Sequence, residues 1–595
     1  MLTIKELNMA SPTQLSYLYT SPAKPFNYTT LPRVVEASAD SHPDQEIFIH
    51  RRPDGSRSSI TNKELYERGN HLARYLVSKG IQKGDRIALI GPNTLELVIG
   101  HVGILSAGAV ILSVNIEMSN AADACQTLET SGAKFVIVDP GEQYELLQPT
   151  KAMLKHCGSN DTVEGNTRVL FLREMDLKEF DKPVTLTDII GMDLHAVEMP
   201  STFPEDTAVI FCTSGSTGKS KMVVHTHFNI ACHPFSWYPD LEYESVDFND
   251  RPFSWIGGSP VFHLFMRRSR VFIDASLTVT ANNAEFLWAV MKEEKCTDAL
   301  LFPYVISDLL ALPDSTCEDG FRLRHVSTGG QIIDNHCTKI MERFCLHMVI
   351  VYGCTEVFGL NMYGPLAAGQ SLRPGEVGKP YPGVEVRVVD EEDHPVPLET
   401  VGMVQVRGPC TMKGYFGNQE LTANAFAQGS WFRTGDIGKV SSNMSLVILG
   451  REKDVISRGG RKIYPGLLED LIKQMSSIKY VCTVPVPDKR LMEEVCIYFV
   501  SSEMSELMEN DVKKFCEKNL FADCTLDGLG VLPAYYVKFE EFASLPNGKL
   551  NRKAIQNEAV RRLHLSKETN VAKSKGHFIP KTIELVSPNW TPWPF

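Results

Sequence analysis

The chain has 595 residues, 43% of them hydrophobic and 22% charged, with a formal net charge of −12. That length exceeds one ordinary core and implies about two to four domains of soluble, globular type. The acidic balance argues against a nucleic-acid partner, which calls for a basic surface; fourteen cysteines with no C-x-x-C spacing give no support to zinc ribbons or thioredoxin-like sites and point to a reducing, cytoplasmic setting.

The N-terminal residues carry no apolar run of the kind a signal peptide needs. Asn62 to Lys79 places Leu65, Leu72, Tyr75 and Leu76 on one face and predicts an amphipathic helix ending at Gly80. Arg86–Ile90 then reads as a strand, Thr94–Leu105 as a helix, Val110–Val114 as a strand, Ala121–Thr130 as a helix and Phe135–Val138 as a strand. This alternation predicts a mostly parallel sheet covered by helices. The most membrane-like stretch, Leu95 to Ile116, contains Glu96 and His101 and is expected to be a buried helix and strand, so no integral membrane span is expected. Residues 140–200 are less regular and suit a variable connection. Further α/β pattern follows, with a strand at Ala208–Phe211, a strand near Val279, a helix at Ala284–Glu294, a strand at Ala299–Phe302 before Pro303, and a strand at Val349–Tyr352. Between Gly375 and Asp436, short β-prone runs at Val384–Val389 and Met403–Arg407 sit among glycines and prolines, as in a small barrel. A boundary is expected near Gly450–Asp454. Beyond it lies a compact unit with strands at Val481–Val486 and Val495–Val500 and a helix at Met504–Asn519. Residues 562–595 turn from basic to Pro/Trp-rich and read as an extension; their end, Trp593-Pro594-Phe595, is not a peroxisomal address.

The stretch after the strand at Ala208–Phe211, Thr213-Ser214-Gly215-Ser216-Thr217-Gly218-Lys219-Ser220-Lys221, ends in the Gly-Lys-Ser of a Walker loop. That motif requires a glycine five residues before Gly218, where Thr213 stands, so the Walker reading fails. What remains is a row of small hydroxyls and glycines that can wrap backbone N–H and O–H donors around phosphate oxygens.

Four further stretches accompany this loop: VYGCTE (351–356), RTGD (433–436), GREKDVISRGGRKIYP (450–465) and PNGKLNRKAI (546–555). In this order the five resemble the adenylate-forming superfamily of acyl-CoA synthetases, luciferases and peptide-synthetase adenylation domains, over roughly residues 30–560. The resemblance implies an α/β fold: a large N-terminal AMP-binding domain, residues 1–449, of two α/β subdomains plus a small β-barrel, then a small mobile α+β C-terminal domain, 450–561, and an extension, 562–595. It implies activation of a carboxylic acid with ATP and Mg²⁺ and transfer to coenzyme A. Site residues carry over one by one. Thr213, Ser214, Gly215, Ser216, Thr217, Gly218 and Lys221 would grip the outer phosphates. Glu356 would hold Mg²⁺, and Thr355 would donate to the α-phosphate. Tyr352 belongs to the same nucleotide-binding motif. Asp436 would accept from the ribose hydroxyls and Arg451 would reach ribose or phosphate. Gly329 and Gly330 would let adenine lie against backbone. Lys549 would stabilise charge between carboxylate and α-phosphate. Lys453 falls at the hinge, and Gly459 and Gly460 would meet the pantetheine thiol.

Ser259-Pro260-Val261-Phe262-His263 resembles the family's Pro-x-x-His segment by the acyl pocket. His263 is its candidate reactive-site residue, and Phe302, Tyr304, Ser327 and Val357 are further pocket candidates. Adenylation domains of peptide synthetases carry an Asp near this segment to pair with an amino group. Here Phe262-His263 stands instead, and an uncharged pocket suits an aliphatic or aromatic acid, since an unpaired buried ammonium is costly. Three departures stand out: Ser220-Lys221-Met222 where the family has Pro-Lys-Gly, Leu467 in place of an acid, and a short run after His263 crowded by Arg267, Arg268 and Arg270. The last implies either a reshaped acyl pocket or a few residues lost from the sequence. A separate carrier-protein thiol or an amine is the alternative acceptor, and a non-catalytic nucleotide-binding member of the fold is the alternative class.

Overall fold

The structure, a computed structural model, describes residues 14–114, 121–141, 148–159, 168–174, 184–213, 220–232, 245–280, 283–330, 333, 335–357, 362–363, 365–370, 372, 375–459, 461–502, 507–520, 532–540, 542 and 550–565. It is a mixed α/β chain built on four sheets.

The first sheet runs in the order 414–415, 221–226, 207–213, 110–113, 86–90, 135–138, 168–171. The five strands from 207–213 to the edge strand 168–171 are parallel, and 207–213 turns back antiparallel into 221–226. Strand 86–90 shows why these strands read as unbroken apolar runs: Ile87 and Leu89 enter one core cluster, while Ala88 and Ile90 enter another on the opposite face. Helices Asn62–Ser78 and Leu95–Ser106 cover one face. Thr61 opens the former with a reciprocal capping box to Glu64, and Thr94 caps the latter by accepting from Leu97 N. The stretch that looked membrane-like is therefore a buried helix and a buried strand, Val110–Ser113. Among the described residues no helix is long and apolar enough to cross a membrane.

The second sheet, in the order 365–367, 345–351, 323–329, 298–300, 246–248, 269–272, 46–51, 57–61, is parallel through its centre and carries an antiparallel strand at each edge. It differs from expectation after His263. The strand is Ser269–Phe272, and Val279 lies in a helix, Ser276–Thr280. The chain makes this early return because helix Pro260–Met266 stops at Arg267, which adopts φ 58° in the left-handed region.

The third sheet, 17–19, 385–389, 402–407, 431–440, 446–451, 376–380, 362–363, with 426–427 beside 431–440, is antiparallel and nearly closed. A fourth, five-stranded sheet of 461–463, 456–458, 492–501, 478–488 and 535–539 has its own two-faced core, with Val481, Ile497 and Phe499 on one side and Cys482, Val484 and Tyr498 on the other. Its helices are Pro465–Ile472, Glu509–Leu520 and Arg552–Arg562.

Trp288, 1% exposed, anchors the helix Ala284–Glu293 against Phe344 (ring centroids 4.8 Å apart, edge-on) and Phe321 (5.2 Å). Truncation leaves a cavity that neighbouring backbone cannot fill. Trp288→Ala is expected to cost about 3–5 kcal/mol, measurable as a shifted denaturation midpoint with an unchanged urea slope.

Candidate active site

The first two sheets and the third converge where their strands end. Strands 323–329 and 345–351 are in parallel register up to Gly329 and Val351, and 298–300 joins them with Leu300 opposite Ser327. Carboxyl ends of parallel strands are where open α/β sheets bind ligands. Tyr352 leaves the end of 345–351 and its hydroxyl donates to Asp436 Oδ2 at 2.5 Å. The other oxygen, Oδ1, faces Arg451 Nε at 2.9 Å, and Asp436 and Arg451 are cross-strand partners in the third sheet. Asp436 is buried and its backbone N–H is held by Thr434 Oγ1 at 3.0 Å, across Gly435 at φ +71°. Burial, then the Asp436 carboxylate, keeps the Tyr352 phenol protonated well above its ordinary 10. A phenol on one oxygen and a guanidinium on the other thus fix the orientation of the Asp436 carboxylate.

Thr355 and Glu356 form the single 3₁₀ turn Thr355–Val357. The Thr355 carbonyl accepts from His225 Nε2 at 2.7 Å, and the Glu356 carbonyl accepts from Met412 N at 2.7 Å. The Glu356 side chain receives the Tyr415 hydroxyl on Oε1 at 2.9 Å. Lys221, in register opposite Thr213 as the last pair of its hairpin, holds its ammonium 5.3 Å from the Tyr415 ring centre. Cys354 lies within electrostatic reach of Glu356, Arg451 and Asp436, so the two acidic groups share one neighbourhood. Ser220, which departs from the family pattern, has a local role: its N–H and Oγ donate to the two oxygens of Asp123 at 3.0 and 2.6 Å. A proline there could not supply the first bond. Ser214, Gly215, Ser216, Thr217 and Gly218 lie outside the described residues.

Gly329 has a reason of its own to be glycine. A Cβ there would stand 2.1 Å from the Val351 carbonyl oxygen. Gly330, at φ +83°, faces the Phe302 ring, 3.6 Å from where its Cβ would be. Phe302 stacks on Trp255 (6.5 Å) and takes the Arg251 guanidinium at 4.7 Å. Arg251 is almost fully buried, pairs with Asp250 at 2.7 Å and donates to the Tyr304 hydroxyl at 2.6 Å. Ser327 is half-buried and Val357 fully buried. The segment 249–258 beside them is pinned from two sides. Arg270, fully buried, donates to the carbonyls of Asn249, Gly258 and Arg251. Asn93 donates to the carbonyls of Asp250 and Arg251 and accepts from Phe253 N. Burial pushes Arg270 down to about 9 against the opposing pull of Asp250 and Asp247.

His263 sits in a wholly buried helix, Pro260–Met266. Its Nε2 is 3.4 Å from Asp247 Oδ2, whose partner oxygen lies 3.5 Å from Arg268. An acid thus does approach this segment, from strand 246–248, but it faces His263 and Arg268. Burial pushes His263 down to about 4, and its Nδ1 has no hydrogen-bond partner among the described residues. Nor, among those residues, does a hydrogen bond or ion pair join His263 to Glu356, Thr355 or Asp436.

In the fourth-sheet unit, Lys453 occupies the 3₁₀ turn Glu452–Asp454 directly after Arg451, and Gly459 donates its N–H to Leu491 O at 2.9 Å. Leu467, standing where an acid was expected, is 49% exposed. Glu469, two residues on, is buried and takes both arms of Arg552 at 2.8 Å, plus Thr483 N at 2.7 Å. This pair ties the helix Pro465–Ile472, which begins at the last residue of GREKDVISRGGRKIYP, to PNGKLNRKAI, the motif that bears Lys549. Lys549 and Gly460 lie outside the described residues.

The pattern described as "AMP-binding enzyme" matches residues 35–416. The chain belongs to the AMP-binding enzyme family. It is 27% identical over 533 residues to a putative acyl-CoA ligase, YdaB, of Bacillus subtilis, covering 87% of this chain and 99% of that one. It is 26% identical over 513 residues to the long-chain fatty acid–CoA ligase FadD13 of Mycobacterium tuberculosis, covering 84% and 93%. Among solved structures it superposes on ATP-bound MatB from Rhodopseudomonas palustris with a TM-score of 0.72 at 22% identity, covering 90% and 100% of the two chains.

Two residues of this AMP-binding enzyme that brace the site escaped sequence reading, His225 and Tyr415. His225 is the fifth residue of strand Lys221–Thr226 and fully buried; a histidine within a buried run is the one signal it left. Tyr415 lies in Lys413-Gly414-Tyr415-Phe416, far from the five motifs.

Burial pushes His101, His225, His227 and His263 from the ordinary 6.5 to about 4. A histidine neutral when folded and protonated when unfolded supports the fold above 6.5 and withdraws that support as pH falls toward 4. Thermal stability is expected to drop across that window, each histidine adding about 1.4 kcal/mol per pH unit to the slope. Scanning calorimetry from pH 7 to 4.5 measures it; a midpoint flat from 6.5 to 5 would contradict the burial.

Proposed function

We propose that this enzyme is an AMP-forming acid–thiol ligase that uses ATP, a carboxylic acid and coenzyme A. The observation that carries the reading is the pairing of two clusters at one set of strand ends, Tyr352–Asp436–Arg451 and Lys221–Tyr415–Glu356, in a member of the AMP-binding family. Curated relatives named as acyl-CoA ligases over nearly their full length support it, and so does a shared fold with an ATP-bound structure.

In this reading a carboxylate oxygen bonds to the α-phosphorus, the bond from that phosphorus to the bridging oxygen breaks, and pyrophosphate leaves. The thiol sulfur then bonds to the acyl carbon, AMP departs and the thiol proton goes to solvent. Asp436 accepts from the ribose hydroxyls, and Arg451 neutralises the phosphate side. Gly329 and Gly330 offer backbone to the adenine. Lys221, Thr213 and the hydroxyls of Ser214, Ser216 and Thr217 draw pyrophosphate charge away. Thr355 donates to the α-phosphate. Mg²⁺ suits Glu356: one oxygen is turned to Tyr415, the other has no protein donor among the described residues, and this cation typically takes one or two carboxylates and completes its shell from phosphates and water. When bound it would neutralise phosphate charge. The large unit spans 1–449 and the small one 450–561; the small unit swings about Lys453 between the half-reactions, delivering Lys549 to the first and Gly459 and Gly460 to the second. His263 keeps its place beside the acid as a neutral wall.

Purified protein is expected to exchange labelled pyrophosphate into ATP with members of a carboxylic-acid panel and to form a thioester with free CoA. Lys549→Ala is expected to lower exchange at least about 100-fold while still converting supplied acyl-adenylate to thioester. Exchange without any thioester would move the acceptor to a carrier-protein thiol or an amine. Full exchange in Lys549→Ala would remove that residue's role.

A further inference from the structure

We infer that Tyr415 is a positioning residue of the nucleotide site, one phenol that holds Lys221 and Glu356 apart and aims both at the same triphosphate and its metal. The inference rests on the reading given under Proposed function and assigns within it a residue outside the five motifs quoted from the sequence.

Tyr415 reaches the site from the third-sheet region. Gly414 and Tyr415 add a two-residue antiparallel strand to the edge of the first sheet, paired with Val224 and Val223. Hydrogen bonds from Lys413 N to Val224 O (2.9 Å) and from Phe416 N to Met222 O (2.8 Å) flank it. The Tyr415 N–H is taken by Thr422 Oγ1 at 2.9 Å, and the residue is 8% exposed. Its position is therefore set by backbone on both sides before its side chain does anything. The same short run holds Glu356 twice, by Met412 N on its carbonyl and by the phenol hydroxyl on Oε1. The second carboxylate oxygen is left for a metal.

The ring has a separate task. Lys221 is placed over it at 5.3 Å and makes no ion pair among the described residues. An ammonium over an aromatic face is attracted by the ring quadrupole. Without the ring, the oppositely charged Lys221 and Glu356 would draw together, and each would be lost to phosphate and metal. A hydroxyl at the ring's rim and a cation above its face keep the two charges from cancelling.

The hydroxyl and the ring can be removed separately. Full-length wild-type protein, Tyr415→Phe and Tyr415→Ala are titrated with α,β-methylene-ATP alone and then with Mn²⁺, bound metal being read by electron paramagnetic resonance. Tyr415→Phe keeps the ring. It is expected to weaken Mn²⁺ in the ternary complex about tenfold, the loss of one hydrogen bond to a charged group, with metal-free nucleotide affinity unchanged. Its kcat falls by a similar factor while KM for the acid holds, and adding Glu356→Gln to it costs little more. Tyr415→Ala is expected to weaken the metal-free nucleotide as well. If Tyr415→Ala does not fold, the conservative Tyr415→Phe carries the test alone. Unchanged Mn²⁺ affinity in a folded Tyr415→Phe, or full additivity with Glu356→Gln, overturns the positioning role and leaves the ligase reading intact. A wild-type protein that binds neither nucleotide nor Mn²⁺ overturns both together.

Discussion

A strand of two residues carries the largest constraint. Gly414 and Tyr415 close the edge of the first sheet against Val223 and Val224, and the segment that supplies them departs from the third sheet and returns to it. An edge strand left open presents unpaired backbone groups; here those groups are satisfied by a segment from far along the chain. The pairing fixes where the Thr355–Val357 turn can sit, because Met412 N and His225 Nε2 hold two successive carbonyls of that turn. The second sheet supplies the turn, the first sheet the histidine, and the third-sheet region the strand. Three units thus meet through hydrogen bonds to the backbone of that turn, which tolerate little displacement.

Charge is organised around that junction with few direct pairs. Asp436 is bound by a phenol on one oxygen and a guanidinium on the other, which orients it. Glu356 is met by a phenol on one oxygen. Tyrosine suits both places because its hydroxyl orients a carboxylate without neutralising it. The cations beside them are Lys221, over the Tyr415 ring, and Arg451, against Asp436.

On the acid side the structure resolves the crowded arginines. Arg270 donates to three carbonyls of segment 249–258, Arg268 faces Asp247, and Arg267 ends the short helix in the left-handed region. A guanidinium has five donors in a rigid fork, which lets one side chain hold a buried irregular segment whose carbonyls have no strand to pair with. Arg251 does similar work with Asp250 and Tyr304, under the ring of Phe302. The short connection after His263 is accordingly a closed, hydrogen-bonded structure.

Much of this was legible in the chain. Strands 86–90 and 135–138 and helices 62–78 and 95–106 declared themselves by their apolar patterns and, for the first helix, by the stop at Gly80, because those signals are local. Motif order sufficed to name the family and to single out Glu356, Asp436, Arg451 and Lys221. The strand near Val279 was misplaced because a left-handed stop at Arg267 leaves no pattern in an arginine-rich run. Tyr415 and His225 were invisible because their partners, Glu356 and the Thr355 carbonyl, are distant in sequence, and a hydrogen bond across such a separation has no periodic trace. The same holds for Asp247 facing His263 and for Arg552 gripping Glu469. By itself the sequence determined most of the element types and the family, and it nominated residues for the chemistry, because those signals depend on neighbours within a few positions. Only the tertiary structure decided which residues hold those groups in place, because that depends on strand register and edge pairing between segments far apart along the chain.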